Sequence, residues 1–328
     1  MKEIARIAEA IKKFNKFLIT SHINPEGDSL GSQLAMANLL KALNKKFVVI
    51  DNDPVPSRYA FLPCAEIIKN KIGKNDLSFD AAIVLDCPNL KRTGSVKEIV
   101  KGIDFIINID HHVSNERFGN LNWVEKNASS VGEMIHSLYK KMKCEMNAET
   151  ALYLYISILT DTGSFNYGNT SSVTHEIVSE LLGFGIKPYG ISKSIYENKT
   201  LGELKLLGRV LSDLKVTEDG KIAYMAAPKK LFDETETGPS ACENFVNFAR
   251  SVRGVEVAVF FREDMKKKNS IHVSFRSGGS VDVNRIASHF GGGGHKTASG
   301  CSVRESFEEV KRDILKEVKD AIRRNGSC

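Results

Sequence analysis

At 328 residues the chain exceeds one average domain, and two domains are the natural division. Its 42% hydrophobic and 26% charged residues are the balance of a globular protein, which excludes a disordered or fibrous chain. A net charge of +6, from 46 basic and 40 acidic residues, suits an anionic substrate but is too sparse for a protein that coats duplex nucleic acid.

MKEIARIAEAIKKF opens the chain as an amphipathic helix over residues 1–14, with Ile4, Ile7, Ala8, Ile11 and Phe14 on one stripe. It contains acids, so it is not read as a secretory leader, and a cytoplasmic location is expected. FLITSH (17–22) reads as the first strand. The stretch SHINPEGDSLGS then places His22, Glu26 and Asp28 on a loop broken by Pro25 and Gly27. Gly27 is expected to turn the backbone sharply, and Ser29 or Asp28 to cap the helix that follows. KFVVID (46–51) and AAIVLDCP (81–88) read as the second and third strands, the latter ending on Asp86. DFIINIDHH (104–112) is a further buried strand that delivers Asp110, His111 and His112 together where it stops. Ligands of open α/β sheets sit at the carboxyl ends of strands, so these residues stand where chemistry is done. Two helices follow, SSVGEMIHSLYKKMK and NAETALYLYISILTDTGSF. The apolar run ALYLYISIL in the second is about half the roughly 18 residues a membrane span needs. Asp161 falls at the end of that helix, where a carboxylate is electrostatically unfavourable unless a cation is near.

His22, Glu26, Asp28, Asp86, Asp110, His111, His112 and Asp161 therefore collect at element ends. Mixed imidazole and carboxylate ligation suits Mn²⁺, with Mg²⁺, Co²⁺ or Zn²⁺ as alternatives. The six cysteines form no CxxC pair, which excludes a thiolate zinc site or a redox motif and favours reduced thiols. So many acids point to two divalent ions sharing a bridging carboxylate.

SSVTHEIVSELLGFG (171–185) is a helix ended by glycine, and 191–214 reads as one or two linking helices with Gly202 and Gly208 as weak points. A strand-rich second domain begins at the hairpin LKVTEDGKIAYMA, which turns at Asp219-Gly220. VEVAVFFRED (255–264) and SIHVSFRS (270–277) alternate as two more strands, VDVNRIASHF is a helix, and SFEEVKRDILKEVKDAIRRN is a terminal one. Gly291 to Gly294, followed by His295, expose backbone N–H groups in a shape that can cradle a phosphate.

In order, HxNPxGDxxGS, DCPNLKRTG, DHHVSN and LTDTGSF resemble the DHH phosphoesterase superfamily, and SHFGGGGHKTASG (288–300) resembles its DHH-associated C-terminal domain. The pattern covers nearly the whole chain and is similar to the small two-domain nanoRNase (NrnA-type) members. The resemblance implies an α/β protein in three parts: a catalytic domain (1–190) whose mostly parallel sheet is flanked by helices, a helical linker (191–214), and a smaller mixed-sheet substrate-binding domain (215–328). It implies that His22, Glu26 and Asp86 hold one ion, and that Asp28, Asp86, His111 and Asp161 hold the other, with Asp86 bridging. Asp110 would orient His111, and His112 would face the scissile phosphate. Gly293, Gly294, His295, Arg276 and Ser277 would grip a terminal phosphate, with Arg262 and His289 as weaker candidates for the same anion. Two departures stand out: Glu26 where the family usually has Asp, and Asn166 where relatives often carry a basic residue.

The reading is a metal-dependent phosphodiesterase that takes very short single-stranded RNA or a dinucleotide such as pApA to 5′-mononucleotides, with phosphatase action on phosphoadenosine phosphate as a second activity. Hydrolysis of cyclic dinucleotides and single-strand exonuclease action are the in-class alternatives. A nucleotide-binding sensor with a degenerate metal site is the non-enzymatic one. No membrane partner is expected, and a homodimer is compatible with the sequence but not required by it.

Overall fold

The computed structural model describes residues 2–71 and 78–325, so Cys328 lies outside the described residues; the five other thiols are free. The chain divides into two compact units, Met1–Asn198 and Lys199–Cys328.

The first unit runs α1 (Lys2–Lys13), β1 (Lys16–Thr20), α2 (Gly27–Ala42), β2 (Lys46–Ile50), β3 (Ile68–Lys69), β4 (Ala81–Leu85), α3 (Lys97–Lys101), β5 (Ile106–Asp110), β6 (Leu121–Val124), α4 (Val131–Met142), α5 (Ala148–Asp161), α6 (Ser172–Leu182) and α7 (Pro188–Tyr196). Its six strands form one sheet in the order β3-β2-β1-β4-β5-β6, every pair parallel. Sequence reading missed β3 and β6, since neither Ile68-Lys69 nor LNWV is long or apolar enough to announce a strand. Pairing with β2 and β5 makes them strands.

Both faces of the sheet are covered, which is why its central strands read as continuous apolar runs. Phe17, Ile19, Ile83, Leu85, Ile107 and Ile109 face a core shared with helices α1, α2, α4 and α5. The alternate residues Leu18, Ala82 and Val84 face a smaller core with Val96, Val100 and Ile103. The chain winds outward from β1 to β3 on one side and from β4 to β6 on the other. The switch between β1 and β4 leaves a crevice at their carboxyl ends, where open sheets of this kind bind ligands.

Helix α2 is buried almost all round, and glycines let its neighbours approach. A Cβ at Gly31 would lie 2.4 Å from the Tyr153 carbonyl of α5, and one at Gly27 would lie 2.4 Å from the Thr160 hydroxyl. Gly27 is thus required by close packing against Thr160 and not by a sharp backbone turn, since it is the first residue of α2. The expected cap is corrected too. Glu26 is the N-cap, and the Ser29 hydroxyl accepts its N–H at 2.9 Å, which leaves Asp28 free to turn inward.

The second unit runs α8 (Leu201–Ser212), β7 (Lys215–Val216), β8 (Ile222–Ala227), α9 (Lys229–Thr235), α10 (Phe245–Arg250), β9 (Val257–Glu263), β10 (Ile271–Ser277), α11 (Val283–His289), β11 (Gly293–Gly294), β12 (Ala298–Val303) and α12 (Phe307–Asn325). Its sheet, in the order β11-β12-β10-β9-β8-β7, is mixed: only β8 and β9 pair in parallel. The stretch 191–214 holds two helices, and Gly202 is no weak point, for it lets α8 press against the Thr235 carbonyl. No helix among the described residues is long and apolar enough to cross a membrane.

Candidate metal centre

The crevice between β1 and β4 collects side chains from five places. His22 follows β1, Glu26 and Asp28 open α2, Asp86 follows β4, Asp110 to His112 end β5, and Asp161 ends α5. His22 Nδ1 donates to the Ile23 carbonyl at 2.7 Å, and its Nε2 stands 3.3 Å from Asp86 Oδ2. His111 repeats the arrangement. Its Nδ1 donates to the Ala128 carbonyl at 3.0 Å, and its Nε2 lies 3.7 Å from Asp28, 3.7 Å from Asp86 and 3.5 Å from Asp161. A carbonyl can only accept, so in each neutral ring the proton sits on Nδ1 and the Nε2 lone pair faces carboxylates. That is how metal-binding imidazoles are held.

Ligand atoms of His22, Glu26 and Asp86 lie within 4.8 Å of one another, and so do those of Asp28, Asp86 and His111. Asp86 belongs to both groups. Its backbone is left-handed at φ 51°, a conformation that costs a non-glycine residue roughly 1–3 kcal/mol and marks strained functional positions. Asp28 is fixed by Val131 N–H at 2.9 Å and Gly132 N–H at 3.2 Å, the first two amides of α4. Ser32 and Ser157 hydroxyls also donate to it. The N-terminal end of a helix favours that anion.

Electrostatics supports the same picture. Burial, and then the Asp28 carboxylate, push Asp86 well above the usual carboxylate range. Burial raises Asp161 to about 7 against the pull of His111. Burial disfavours a charged His111, yet Asp161, Asp28 and Asp86 together hold it up to about 10. The four acids Glu26, Asp28, Asp86 and Asp161 carry the charge that two divalent ions would balance, with two imidazole nitrogens completing an N/O donor set. The residues present fit such ions.

The DHH tripeptide is split across the sheet. His111 points to the side of α2 and α5, while Asp110 and His112, two apart on an extended chain, point to the other. Asp110 therefore does not orient His111. Its Oδ1 accepts from His112 Nδ1 at 2.7 Å, and the Ala128 carbonyl orients His111 instead. Burial opposes ionisation of Asp110, but His112 and Asn115 outweigh it and hold the carboxyl far below its usual value. Burial lowers the His112 pKa against the pull of Asp110.

Sequence reading missed three supports. Asp51 ends β2 as Asp86 ends β4, and it accepts from Ser21 N–H at 3.1 Å and Gln33 Nε2 at 2.9 Å behind the His22 loop. The apolar run into Asp51 was the available signal. Ser157, inside an apolar helix, gave none. Asn115 lay in view in DHHVSN.

In the second unit Arg276 lies opposite Ala298, beside the glycine hairpin. Gly293 and Gly294 pair with Gly300 and Ser299, and His295 N–H closes the turn on the Ala298 carbonyl at 2.7 Å. A Cβ at Gly292 would meet the Gly300 carbonyl at 2.1 Å, so this segment is a tight hairpin edge more than an open loop. His289 is exposed at the end of α11. Two expectations need correction. Ser277 points to the face opposite Arg276, buried, with its hydroxyl donating to the Val281 carbonyl at 2.7 Å. Arg262 pairs with His272, whereas the β9 partner of Arg276 is Ala258. Four residues of strand, about 14 Å, separate these positions, so Arg262 does not join Arg276. Asn166 turns its amide to the Gly163 and Ser164 carbonyls at 3.0 and 3.1 Å.

A family model described as the DHH family, N-terminal domain matches residues 16–158, and one described as the DHHA1 domain matches residues 219–324. The chain is 31% identical to the bifunctional oligoribonuclease and PAP phosphatase NrnA of Thermus thermophilus, over 99% of this chain and 95% of that one. To the protein of the same name in Bacillus subtilis it is 28% identical, over 93% and 95%. Among solved structures it is similar to an exopolyphosphatase-related protein from Bacteroides fragilis, with a TM-score of 0.88, 29% identity and coverage of 98% and 96%.

Proposed function

The chain belongs to the DHH family, and on that premise we propose that it is a phosphoesterase hydrolysing very short RNA, such as pApA, to 5′-mononucleotides, with 3′-phosphate removal from phosphoadenosine phosphate as a second activity. The carrying observation is Asp86, whose carboxylate is common to the two ligand groups. His22, Glu26 and Asp86 would hold one divalent ion, and Asp28, Asp86, His111 and Asp161 the other. Mn²⁺ is the best match to this imidazole–carboxylate set, ahead of Mg²⁺ and Co²⁺. Held by these residues, two such ions would supply positive charge against a phosphate and would lower the pKa of a bound water so that hydroxide forms near neutral pH.

The chain's own residues do the rest. The water's hydroxyl joins phosphorus as the P–O bond to the leaving oxygen breaks. That oxygen takes a proton from His112 Nε2, and the proton released by the attacking water returns through solvent to restore the imidazolium. Asp110, hydrogen-bonded to Nδ1, stabilises the imidazolium that this requires. In the second unit the amides of the glycine hairpin, Arg276 and His295 bind a terminal phosphate. Ser277 braces their turn from behind.

The test is hydrolysis of 5′-labelled RNA of about two, five and 24 nucleotides with Mn²⁺ and with EDTA, alongside phosphoadenosine phosphate and cyclic di-AMP. Fast, EDTA-sensitive loss of the dimer and slow loss of the 24-mer are expected. Processive decay of the 24-mer would make the protein a general exonuclease, and preference for cyclic di-AMP a cyclic dinucleotide enzyme. Binding of pApA without turnover at any Mn²⁺ level would make it a sensor.

A further inference from the structure

The loop after the DHH tripeptide contains a side chain whose amide N–H groups are committed to the site. Asn115 Nδ2 donates to Asp110 Oδ2 at 2.5 Å and to Asn108 Oδ1 at 2.8 Å, and its own Oδ1 accepts Arg117 N–H at 2.7 Å. Asn108 is fully buried in β5, and its amide donates to the Val84 and Cys87 carbonyls at 3.3 and 3.2 Å, on either side of Asp86. Residues 108, 110 and 112 project to one face of the extended chain, so a continuous row runs from the β4 turn through Asn108, Asn115 and Asp110 to His112 Nδ1. Glu116 N–H, bound to the Pro88 carbonyl at 2.8 Å, ties the same loop to the segment after Asp86.

The acceptors facing the Asn115 amide, Asp110 Oδ2, Asn108 Oδ1 and, farther off at 3.4 Å, the Cys87 carbonyl, are all oxygens, so an NH₂ group is what satisfies them. Holding Oδ2 of Asp110 turns Oδ1 toward His112, keeps the proton on Nδ1 and leaves Nε2 to face substrate. We propose that Asn115 is a positioning residue: through Asp110 it fixes the tautomer and aim of His112, and through Asn108 it sets that imidazole at a constant distance from the turn that carries Asp86. The inference rests on the phosphoesterase reading of this site.

Steady-state kinetics on pApA with Mn²⁺, for Asn115→Ala, Asp110→Asn and the double variant, test it. Each single variant should lose roughly 10- to 100-fold in kcat, the scale of a lost hydrogen bond to a charged group, with KM and bound Mn²⁺ unchanged. The double variant should fall no further than the worse single one, because both changes break one row. Asn115→Asp keeps the side-chain volume but replaces the donor with an acceptor, so it should lose more than Asn115→Ala. Wild-type kcat in Asn115→Asp, a loss confined to KM or metal content, or multiplicative losses in the double variant would overturn the proposal. Histidine-selective ¹⁵N spectra of the Mg²⁺-loaded wild-type protein need no variant. In the neutral ring they should place the His112 proton on Nδ1, and a neutral ring protonated on Nε2 alone would refute the assignment even if every variant unfolded. An inactive wild-type protein would instead count against the phosphoesterase reading, with those spectra still deciding the role of Asn115.

Discussion

Replacing Asp51 with asparagine should stabilise the protein at neutral and alkaline pH. Asp51 is only 1% exposed, and burial is the main reason its carboxyl is raised from 3.8 to about 6, partly offset by its bonds to Gln33 and Ser21. The folded chain therefore holds this proton more tightly than the unfolded one. Its contribution is fully present below about pH 4 and is lost as pH rises through about 6. The shift corresponds to about 3 kcal/mol forfeited by pH 8, where the carboxylate is ionised in a dry site. The asparagine of Asp51→Asn would keep an oxygen for Ser21 N–H. Gln33, whose Oε1 now lacks a hydrogen-bond partner, would turn over to accept from the new amide. At about 2–4 °C per kcal/mol for a unit of this size, the first unit's melting temperature should rise by about 6–12 °C at pH 8. At pH 4 the difference should shrink to about 2 °C or less. Thermal unfolding followed by circular dichroism at pH 4, 6 and 8 reads this directly. If Asp51→Asn lowered Tm at pH 8, or the gap did not change with pH, the carboxylate would be a stabilising anion and the argument from burial would be wrong.

Asp86→Ala removes the carboxylate common to both ligand groups, so activity should fall below detection and bound Mn²⁺ by at least one equivalent; a tenth of wild-type rate would refute the shared-ligand arrangement. Because His111 is held up to about 10 and Asp161 up to about 7, Mn²⁺ must displace protons at pH 7 and should bind more tightly as pH rises from 6 to 8. Calorimetry in buffers of different ionisation enthalpy measures that release, and buffer-independent heats would contradict it. Gly31→Ala drives a methyl to 2.4 Å from the Tyr153 carbonyl, so α2 and α5 must part. Stability should drop by about 1–3 kcal/mol, and activity should fall with it because Asp28 and Asp161 ride on those helices. Unchanged Tm would mean that the backbone yields there. His295→Ala should raise KM for pApA more than it lowers kcat, and the opposite pattern would move His295 into the chemistry.

Much of the site was legible because its carboxylates and imidazoles follow apolar runs. A buried strand that stops on Asp86, or on Asp110-His111-His112, advertises both its own end and the crevice beyond it. Short elements were not legible. β3 and β6 carry too few apolar residues to stand out and are strands only because β2 and β5 offer them a ladder. The division of labour within the tripeptide was hidden as well. Adjacent letters suggest adjacent roles, but an extended chain sends neighbours to opposite faces, so Asp110 serves His112 and a carbonyl 17 residues on serves His111. Ser277 miscarried for the same reason, facing the wrong side of β10, and Arg262 through its register along β9.

Composition, periodicity and motif order by themselves determined that this is a two-part α/β chain with an acidic, histidine-bearing centre and a glycine-rich segment in its second half, since these are properties of local runs and of residue chemistry. Which imidazole nitrogen faces the carboxylates, and which acceptor holds His112, were decided by the crossing at β1 and β4. They depend on contacts between residues tens of positions apart, and only packing the helices onto the sheet brings those residues within hydrogen-bonding reach.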